Sequence, residues 1–409
     1  MGEANHEAPL SGVRVIELSH YVAGPLAARM MSDLGAEVIK IELAPRGDLA
    51  RYYPPLKAGV CPGFIAFNRG KRGVCIDIKR PEGARLVTEL IGRADVMVEN
   101  FSPGVLAKYG LDYQHLHQRN PRLIMCSMSG FGQDGPLAGK QSNDLIAMGM
   151  SGVLHMIGDP EGKPMVPSIL FGDCNGAVHI FGSVCAALYM RERTGEGQYI
   201  DLSLDECLGQ FADFSFALYQ GTGGNHYPNR AGSHFSAVSP MGVFRARDGN
   251  VTIAAGLDRW RQFCEAIGQP ELATDPRFDT MERRIANREA LTEIIENWLQ
   301  SFPGRNEPLA ILEQNRILCG PVLDIPQSMS HPHRHARGTL QTVSSSRFGE
   351  LQTFRTPIRF SDAEVAIRGG APLLGEHNMQ VLGDLLGYSS NQVAALVDSG
   401  VLVQDAQLP

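Results

Sequence analysis

Strand and helix signals alternate along the first half of the chain, and that alternation leaves few folds open. Val13 to Leu18 reads as a buried strand. A helix is expected from about Pro25, since proline suits a first helical turn, and Gly35 stands where such a helix ends. Ala36 to Ile41 is the next strand. A strand–helix–strand unit implies a parallel pair and a right-handed crossover. The pattern recurs in a helix over Pro81–Arg93 before the strand Asp95–Glu99. It recurs again in a helix over Tyr113–Arg119, N-capped by Asp112, before the strand Arg122–Met128. These units predict an α/β fold with a doubly wound domain.

Further along, a long small-residue helix is expected over Gly176–Arg193, then a strand over Gln198–Leu202. The stretch Gly221–Ser239 is rich in Gly, Ser, Asn and His and reads as a long loop and a domain boundary. Beyond it, Gly242–Ala255 reads as a hairpin turning at Asp248-Gly249. Helices over Asp258–Ile267 and Arg288–Gln300 complete a smaller α+β domain. From Thr339 onward come short strand signals and helices near Asn378–Leu386 and Gln392–Ser399. The expected division is residues 1–225, a small domain over 226–335, and a C-terminal part over 336–409 that returns to the large domain.

Of the 409 residues, 43% are hydrophobic and 20% charged, which suits a globular protein of two or three domains. The net charge is −7 and no basic run stands out, so nucleic acid is not an expected partner. No apolar stretch is long enough to span a bilayer, and Met1 to Leu10 lacks the basic and apolar regions of a secretory signal. Met1-Gly2 hints at myristoylation, but His6 sits where Ser or Thr is wanted. The eight cysteines include no Cys-x-x-Cys pair and lie mostly in apolar runs, which points to reduced thiols and a cytoplasmic address.

Asp173 is a single carboxylate between an apolar, strand-like run (Ile169 to Phe171) and the long helix. Glycines at 172 and 176 allow close approach of another molecule. From the local sequence the position suits a helix N-cap first and an oxygen nucleophile second. Cys174 beside it has no evident base.

Gly130 to Gly135 matches G-x-G-x-x-G after a strand, but Pro136 and Gly139 follow and no helix opens within it, so a nicotinamide or flavin site is not expected. His331 to His335 reads as a solvated loop, because Pro332 breaks a metal-ligand spacing. Asp201 and Asp205 need not meet, since the first sits in a strand. Lys71-Arg72 and Lys79-Arg80 flank a strand over Val74–Ile78, either as phosphate contacts or as solvated charges. Asn100 to Gly104 follows a strand and is read as opening a helix, a good place for an adenine or phosphate contact.

Taken together, several segments resemble the class III CoA-transferases, the group of formyl-CoA transferase, carnitine CoA-transferase and α-methylacyl-CoA racemase. They are Gly12 to Leu18, Ala23-Gly24-Pro25, Leu34 to Glu42, Asn68 to Arg72, Val98 to Phe101, Ser129 to Gly132, Arg191 to Gln198 and Leu374 to His377. The resemblance runs in order along nearly the whole chain. It implies a large α/β domain built from both chain ends, a small inserted domain and an interlocked homodimer. It also implies coenzyme A bound as substrate, with no metal or redox cofactor. Val22, Ala23, Asp77, Lys79, Asn100, Phe101, Val105 and Lys108 match the family's CoA contacts. Leu43 stands where some relatives place an arginine.

The resemblance sets the nucleophile on Asp173 and an acidic site position on Asp144. It implies acyl transfer from an acyl-CoA donor to a carboxylic acid acceptor, through an acyl-aspartyl anhydride and an aspartyl-CoA thioester. The racemase branch has a histidine where Asn143 stands, and asparagine cannot exchange a proton near neutral pH. Formyl-CoA transferases have a glutamine matching Val22 and a glycine run near Phe235 to Ser239, and neither is present. An α-proton racemase and a non-catalytic CoA-binding protein are the alternative readings. The acyl pocket is expected to draw on Tyr21, residues 143–150, His155 and the Ser233–Ser239 loop, the last as a mobile cover.

Overall fold

The computed structural model describes residues 7–345 and 347–405. Of the Met1–Leu10 stretch read above for targeting signals, Met1–His6 lies outside the described residues. In chain order the first elements are β1 (Arg14–Leu18), α1 (Ala23–Asp33), β2 (Glu37–Leu43), α2 (Pro62–Asn68), β3 (Arg72–Ile76), α3 (Pro81–Ile91), β4 (Val96–Glu99), α4 (Tyr113–Arg119) and β5 (Ile124–Ser129). They continue with α5 (Asp144–Met150), α6 (Phe171–Thr194), β6 (Tyr199–Ser203), α7 (Leu204–Phe211), α8 (Asp213–Gly221), β7 (Met241–Ala246), β8 (Gly249–Ala254), α9 (Trp260–Ala266), α10 (Met281–Ala286), α11 (Arg288–Gln300), α12 (Asn306–Gln314), β9 (Leu318–Pro321) and α13 (Ile325–Met329). The last are α14 (Pro332–Ala336), β10 (Leu340–Ser345), β11 (Gly349–Phe354), α15 (Asn378–Leu386) and α16 (Ser390–Asp398).

Two compact units result. One comprises residues 1–151, 167–210 and 332–409; the other comprises 152–166 and 211–331. In the first, six strands form a parallel sheet in the order β3-β2-β1-β4-β5-β6. Strands buried on both faces read as near-continuous apolar runs, as Val15-Ile16 and Val38-Ile39 do here. One sheet face packs in a core with Leu86, Leu90, Val381, Leu382, Val393 and Leu396 from α3, α15 and α16. Helices α1 and α6 pack against each other and against the sheet. The C-terminal tail covers the outer edge of β3: Asp77 N–H donates to Val401 O at 2.9 Å, and Val403 N–H donates to Cys75 O at 3.1 Å. That pairing removes an open edge.

The second unit carries the antiparallel sheet β7-β8-β9. Its core joins Phe244, Val251 and Ile253 to Phe263, Phe278, Leu291 and Ile295. The β7–β8 hairpin turns at Arg247-Asp248, one residue before the expected Asp248-Gly249, because Gly249 already pairs with Ala246.

Other local expectations fail. No strand leads into Asp173; residues 163–170 are irregular and the helix begins at Phe171. His331 to His335 is no open loop, because Pro332 serves as the first residue of the short helix α14. Asn100 to Gly104 opens no α-helix, and only a 3-10 turn over Leu106–Tyr109 follows. Lys71 is neither a solvated charge nor a surface phosphate contact, since it is buried within an ionic cluster.

Candidate active site

The strand order reverses direction between β1 and β4. In open parallel sheets the crevice beyond the carboxyl ends of such a pair is where ligands bind. Beyond β1 lie Ser19 to Ala23, and beyond β4 lie Asn100 and Phe101. Asn100 ties the two turns together: its Oδ1 accepts from His20 N–H and its Nδ2 donates to His20 O, each at 2.8 Å. The His20 and Phe101 rings meet edge to face at 4.8 Å.

Helix α1 starts in this crevice with no side chain capping its first N–H groups. Uncapped donors at a helix start attract anions. Val22 and Ala23 are buried, so what they offer a ligand is mainly backbone. Asp77 follows β3, and its Oδ1 accepts from Lys79 N–H at 3.1 Å. Lys79 and Lys108 are exposed cations, and Val105 precedes the 3-10 turn after β4. All eight residues matched to CoA contacts therefore stand at the carboxyl edge of one parallel sheet or in the turns leaving it.

Asp173 stands at the same edge. Helix α6 has 24 residues, about 36 Å of length. Near its start, a Cβ on Gly176 would meet Leu204 Cδ2 at 2.8 Å and Met128 Cε at 3.2 Å, which sets this end by the carboxyl ends of β5 and β6. Near its far end, Arg191 bonds Asp95 at 3.0 Å, before β4 begins. Asp173 is the third residue of the helix, with Leu170 at the N-cap position. It is therefore not the N-cap that its neighbours suggested.

The cap comes from elsewhere. Asp144 Oδ1 accepts the Asp173 backbone N–H at 2.8 Å, supplying one of the partners that a helix start lacks. Asp144 is itself fixed as the first residue of α5, whose N-cap is Asn143 through Oδ1 and Ile146 N–H at 3.0 Å. A Cβ on Gly172 would sit 3.1 Å from both Asp144 Oδ1 and Leu208 Cδ1, so glycine is what lets the two segments close. Burial and then the Asp144 charge push the Asp173 carboxyl up to about 7. A carboxylate deprived of water in this way is basic and reactive toward a carbonyl carbon.

A buried ionic cluster lies at the carboxyl ends of β1 and β2. Lys40 Nζ contacts Glu17 Oε1 at 2.8 Å, Ser19 O at 3.0 Å and Asp48 Oδ2 at 3.0 Å. Lys71 Nζ contacts Glu17 Oε2 at 2.6 Å, Asn68 Oδ1 at 2.7 Å and Pro25 O at 2.8 Å. Two lysines face two carboxylates, and neither lysine side chain is exposed. Burial, against the Glu17 charge, pushes Lys71 down to about 7. Burial opposes ionisation of Asp48, yet Lys40 holds it well below the usual carboxylate range. Sequence reasoning missed this cluster. Its signal was present: Glu17, Lys40 and Glu42 interrupt apolar runs that need both faces buried.

Glu99, the last residue of β4, accepts from Phe101 N–H at 2.8 Å, and burial pushes it up to about 7. Asp201 lies in β6 and takes the Gln133 N–H, while Asp205 lies in α7, so the two do not form a pair. His155 and the Ser233–Ser239 loop belong to the second unit. His155 faces the Tyr227 hydroxyl at 3.4 Å. The loop's carbonyls are tied down, with Phe235 and Ser236 accepting from Arg288 and Ser239 from Arg284. Among the described residues no group of three or more His, Cys, Asp or Glu could hold a metal ion, and no helix is long and apolar enough to cross a membrane.

Known proteins bring an independent line. The chain is 36% identical over 394 residues to a succinate–glutarate CoA-transferase of Agrobacterium fabrum, covering 93% of this chain and 96% of that one. It is 36% identical over 376 residues to an acetyl-CoA:oxalate CoA-transferase of Acetobacter aceti, covering 91% and 95%. The crystal structure of a CAIB/BAIF family protein from Brucella suis matches with a TM-score of 0.82 at 36% identity, over 93% of this chain and 100% of that one. Rv3272 from M. tuberculosis matches with a TM-score of 0.79 at 29% identity, over 91% and 99%. The profile of CoA-transferase family III covers residues 10–378. With these matches spanning nearly its full length, the chain belongs to CoA-transferase family III and is an enzyme that moves coenzyme A between carboxylic acids.

Proposed function

We propose that Asp173 is the covalent nucleophile of this transfer. The observation that carries the reading is its setting: a half-buried carboxylate at the start of α6, pushed up to about 7 by burial and the Asp144 charge, with no donor bonding its oxygens among the described residues. A structural cap would be engaged by the helix it caps.

In the first step an Asp173 Oδ attacks the donor thioester carbonyl, and the C–S bond breaks as CoA thiolate leaves. The product is a mixed acyl-aspartyl anhydride. The thiolate then attacks the aspartyl carbonyl, giving an aspartyl-CoA thioester and releasing the donor acid as carboxylate. The acceptor carboxylate attacks this thioester and expels the thiolate once more. Attack of the thiolate on the acceptor carbonyl forms the new acyl-CoA and restores Asp173. No net proton is consumed, because carboxylates and thiolates exchange places throughout. Asp144 positions Asp173 by holding its backbone N–H. Val22, Ala23, Asp77, Lys79, Asn100, Phe101, Val105 and Lys108 bind coenzyme A along the carboxyl edge of the sheet.

At least one of the exchanged acids is a short dicarboxylic acid; succinate, glutarate and oxalate in the relatives' names support this. The enzyme acts as an interlocked homodimer in the cytoplasm. Exposed Val178, Tyr189 and Met190 on α6 and eight unpaired cysteines are in keeping with that. Asn143, occupied as a helix cap, offers no second base for racemisation.

The test is Asp173→Ala, with transfer from succinyl-CoA to a panel of mono- and dicarboxylic acids as the assay. The variant is expected to be inactive, and hydroxylamine is expected to yield an Asp173 hydroxamate in the parent during turnover. A variant that transfers at the parental rate sinks the reading.

A further inference from the structure

Tyr21 is an anomaly in the crevice. Among the described residues it is one of three non-glycine residues with positive φ, at +62°, and it is 44% exposed. The left-handed region is costly for a bulky residue and persists only where surrounding contacts impose it. Here the contacts are identifiable. Asp48 Oδ1 accepts the Tyr21 N–H at 3.1 Å and the Ala50 N–H at 2.9 Å, and it lies 3.9 Å from His20 Nδ1. The Asp48 side chain is 0% exposed. Its other oxygen is held by Lys40, which Glu17 and Ser19 anchor in turn. Its own N–H donates to Glu42 Oε2 at 2.9 Å, and Glu42 is clamped by Arg51.

A buried carboxylate fixed from three sides thus grips the one strained peptide before α1. Hydrogen bonds from Asn100 hold the neighbouring His20 from the other side of the crevice. The cluster is oversized for joining two loops, since an apolar plug of equal volume would do so at less desolvation cost. A charge held by Lys40 and aimed at a strained backbone N–H has the form of a positioning device.

We propose that Asp48 is a positioning residue for acyl-CoA binding, acting through the left-handed turn at Tyr21. It sets the turn that presents the backbone of Val22 and Ala23 and the Tyr21 ring to the thioester-bearing ligand. The inference rests on the reading that these residues bind coenzyme A, and it adds a determinant that touches no ligand itself.

The test is a double-mutant cycle in the full-length enzyme. Asp48→Asn is expected to raise KM for succinyl-CoA about 10-fold while kcat changes less than about 3-fold, the pattern of lost binding geometry. Glycine occupies the left-handed region without penalty. In a Tyr21→Gly background, Asp48→Asn should therefore cost less than about 3-fold in KM. A purely structural role would lower activity equally in both backgrounds, and that result, or an unchanged KM, overturns the proposal. If Asp48→Asn does not fold, calorimetric CoA binding by Tyr21→Val and Tyr21→Gly decides, because a β-branched residue resists this φ. Binding about 10-fold weaker in the valine variant is expected, and equal affinities overturn the proposal. Loss of activity in Asp173→Ala, measured alongside, keeps the catalytic reading separate from this one.

Discussion

Replacing Asp173 by asparagine should inactivate the enzyme and make it more stable. The reasoning starts from the carboxyl group's shift from an ordinary 3.8 to about 7, caused by burial and then by Asp144. At pH 8 that shift corresponds to about 4 kcal/mol against the charged form, and partial solvent exposure reduces it to about 2 kcal/mol. The third position of a helix returns some of this through the dipole, about 0.3–1 kcal/mol. A net gain of about 1–2 kcal/mol is therefore expected for the isosteric neutral side chain at pH 8. The sign follows from proton binding: between the two values the folded state holds more protons than the unfolded chain. The penalty is thus fully present above pH 7 and fades as the pH falls toward 3.8. Thermal melts of both proteins at pH 8, 6 and 4 check it. The variant should melt about 1–2 °C higher at pH 8, with the gap closing by pH 4. A variant that melts lower at pH 8, or a gap that ignores pH, would refute the picture of a desolvated nucleophile and favour a structural one.

Transfer by the parent enzyme should fall as the pH drops through about 7, where Asp173 takes up a proton. Asp144→Asn keeps an acceptor for the Asp173 N–H but removes a charge, so the acid limb of kcat/KM should move to lower pH; an unmoved limb sinks the assignment. Gly172→Ala would push a methyl toward Asp144 and Leu208, and kcat should fall about 10-fold while melting changes little; full activity would show that the fit is slack. Lys71→Met leaves Glu17 with one of its two cations, and unfolding in urea should show a loss of about 3–5 kcal/mol. A loss below about 1 kcal/mol would mean that the cluster is not a balanced unit.

Much of the fold was legible because apolar runs and turn residues carry local information. The helices Tyr113–Arg119, Arg288–Gln300 and Asn378–Leu386 fall at their expected bounds, and Asp112 caps α4 through His115 N–H as read. The helices α2, α5, α7, α8, α10, α12 and α13 were missed, since each has nine residues or fewer and so carries too little of the helical repeat to stand out. The apolar run before Asp173 imitated a strand because three consecutive apolar residues, Ile169 to Phe171, do not distinguish a strand from an irregular segment.

The sequence by itself determined the parallel α/β layout, through strand–helix periodicity, and it singled out Asp173 as a carboxylate among apolar and small residues. It could not reveal that Asp144, 29 residues away, caps the helix of Asp173 and raises its basicity. Nor could it pair Glu17, Lys40, Asp48 and Lys71. Those effects depend on distances of about 3 Å between segments far apart in the chain and on the exclusion of water around them. Charge and hydrogen-bond geometry of that kind exist only once the sheet has closed, so the tertiary structure alone decided them.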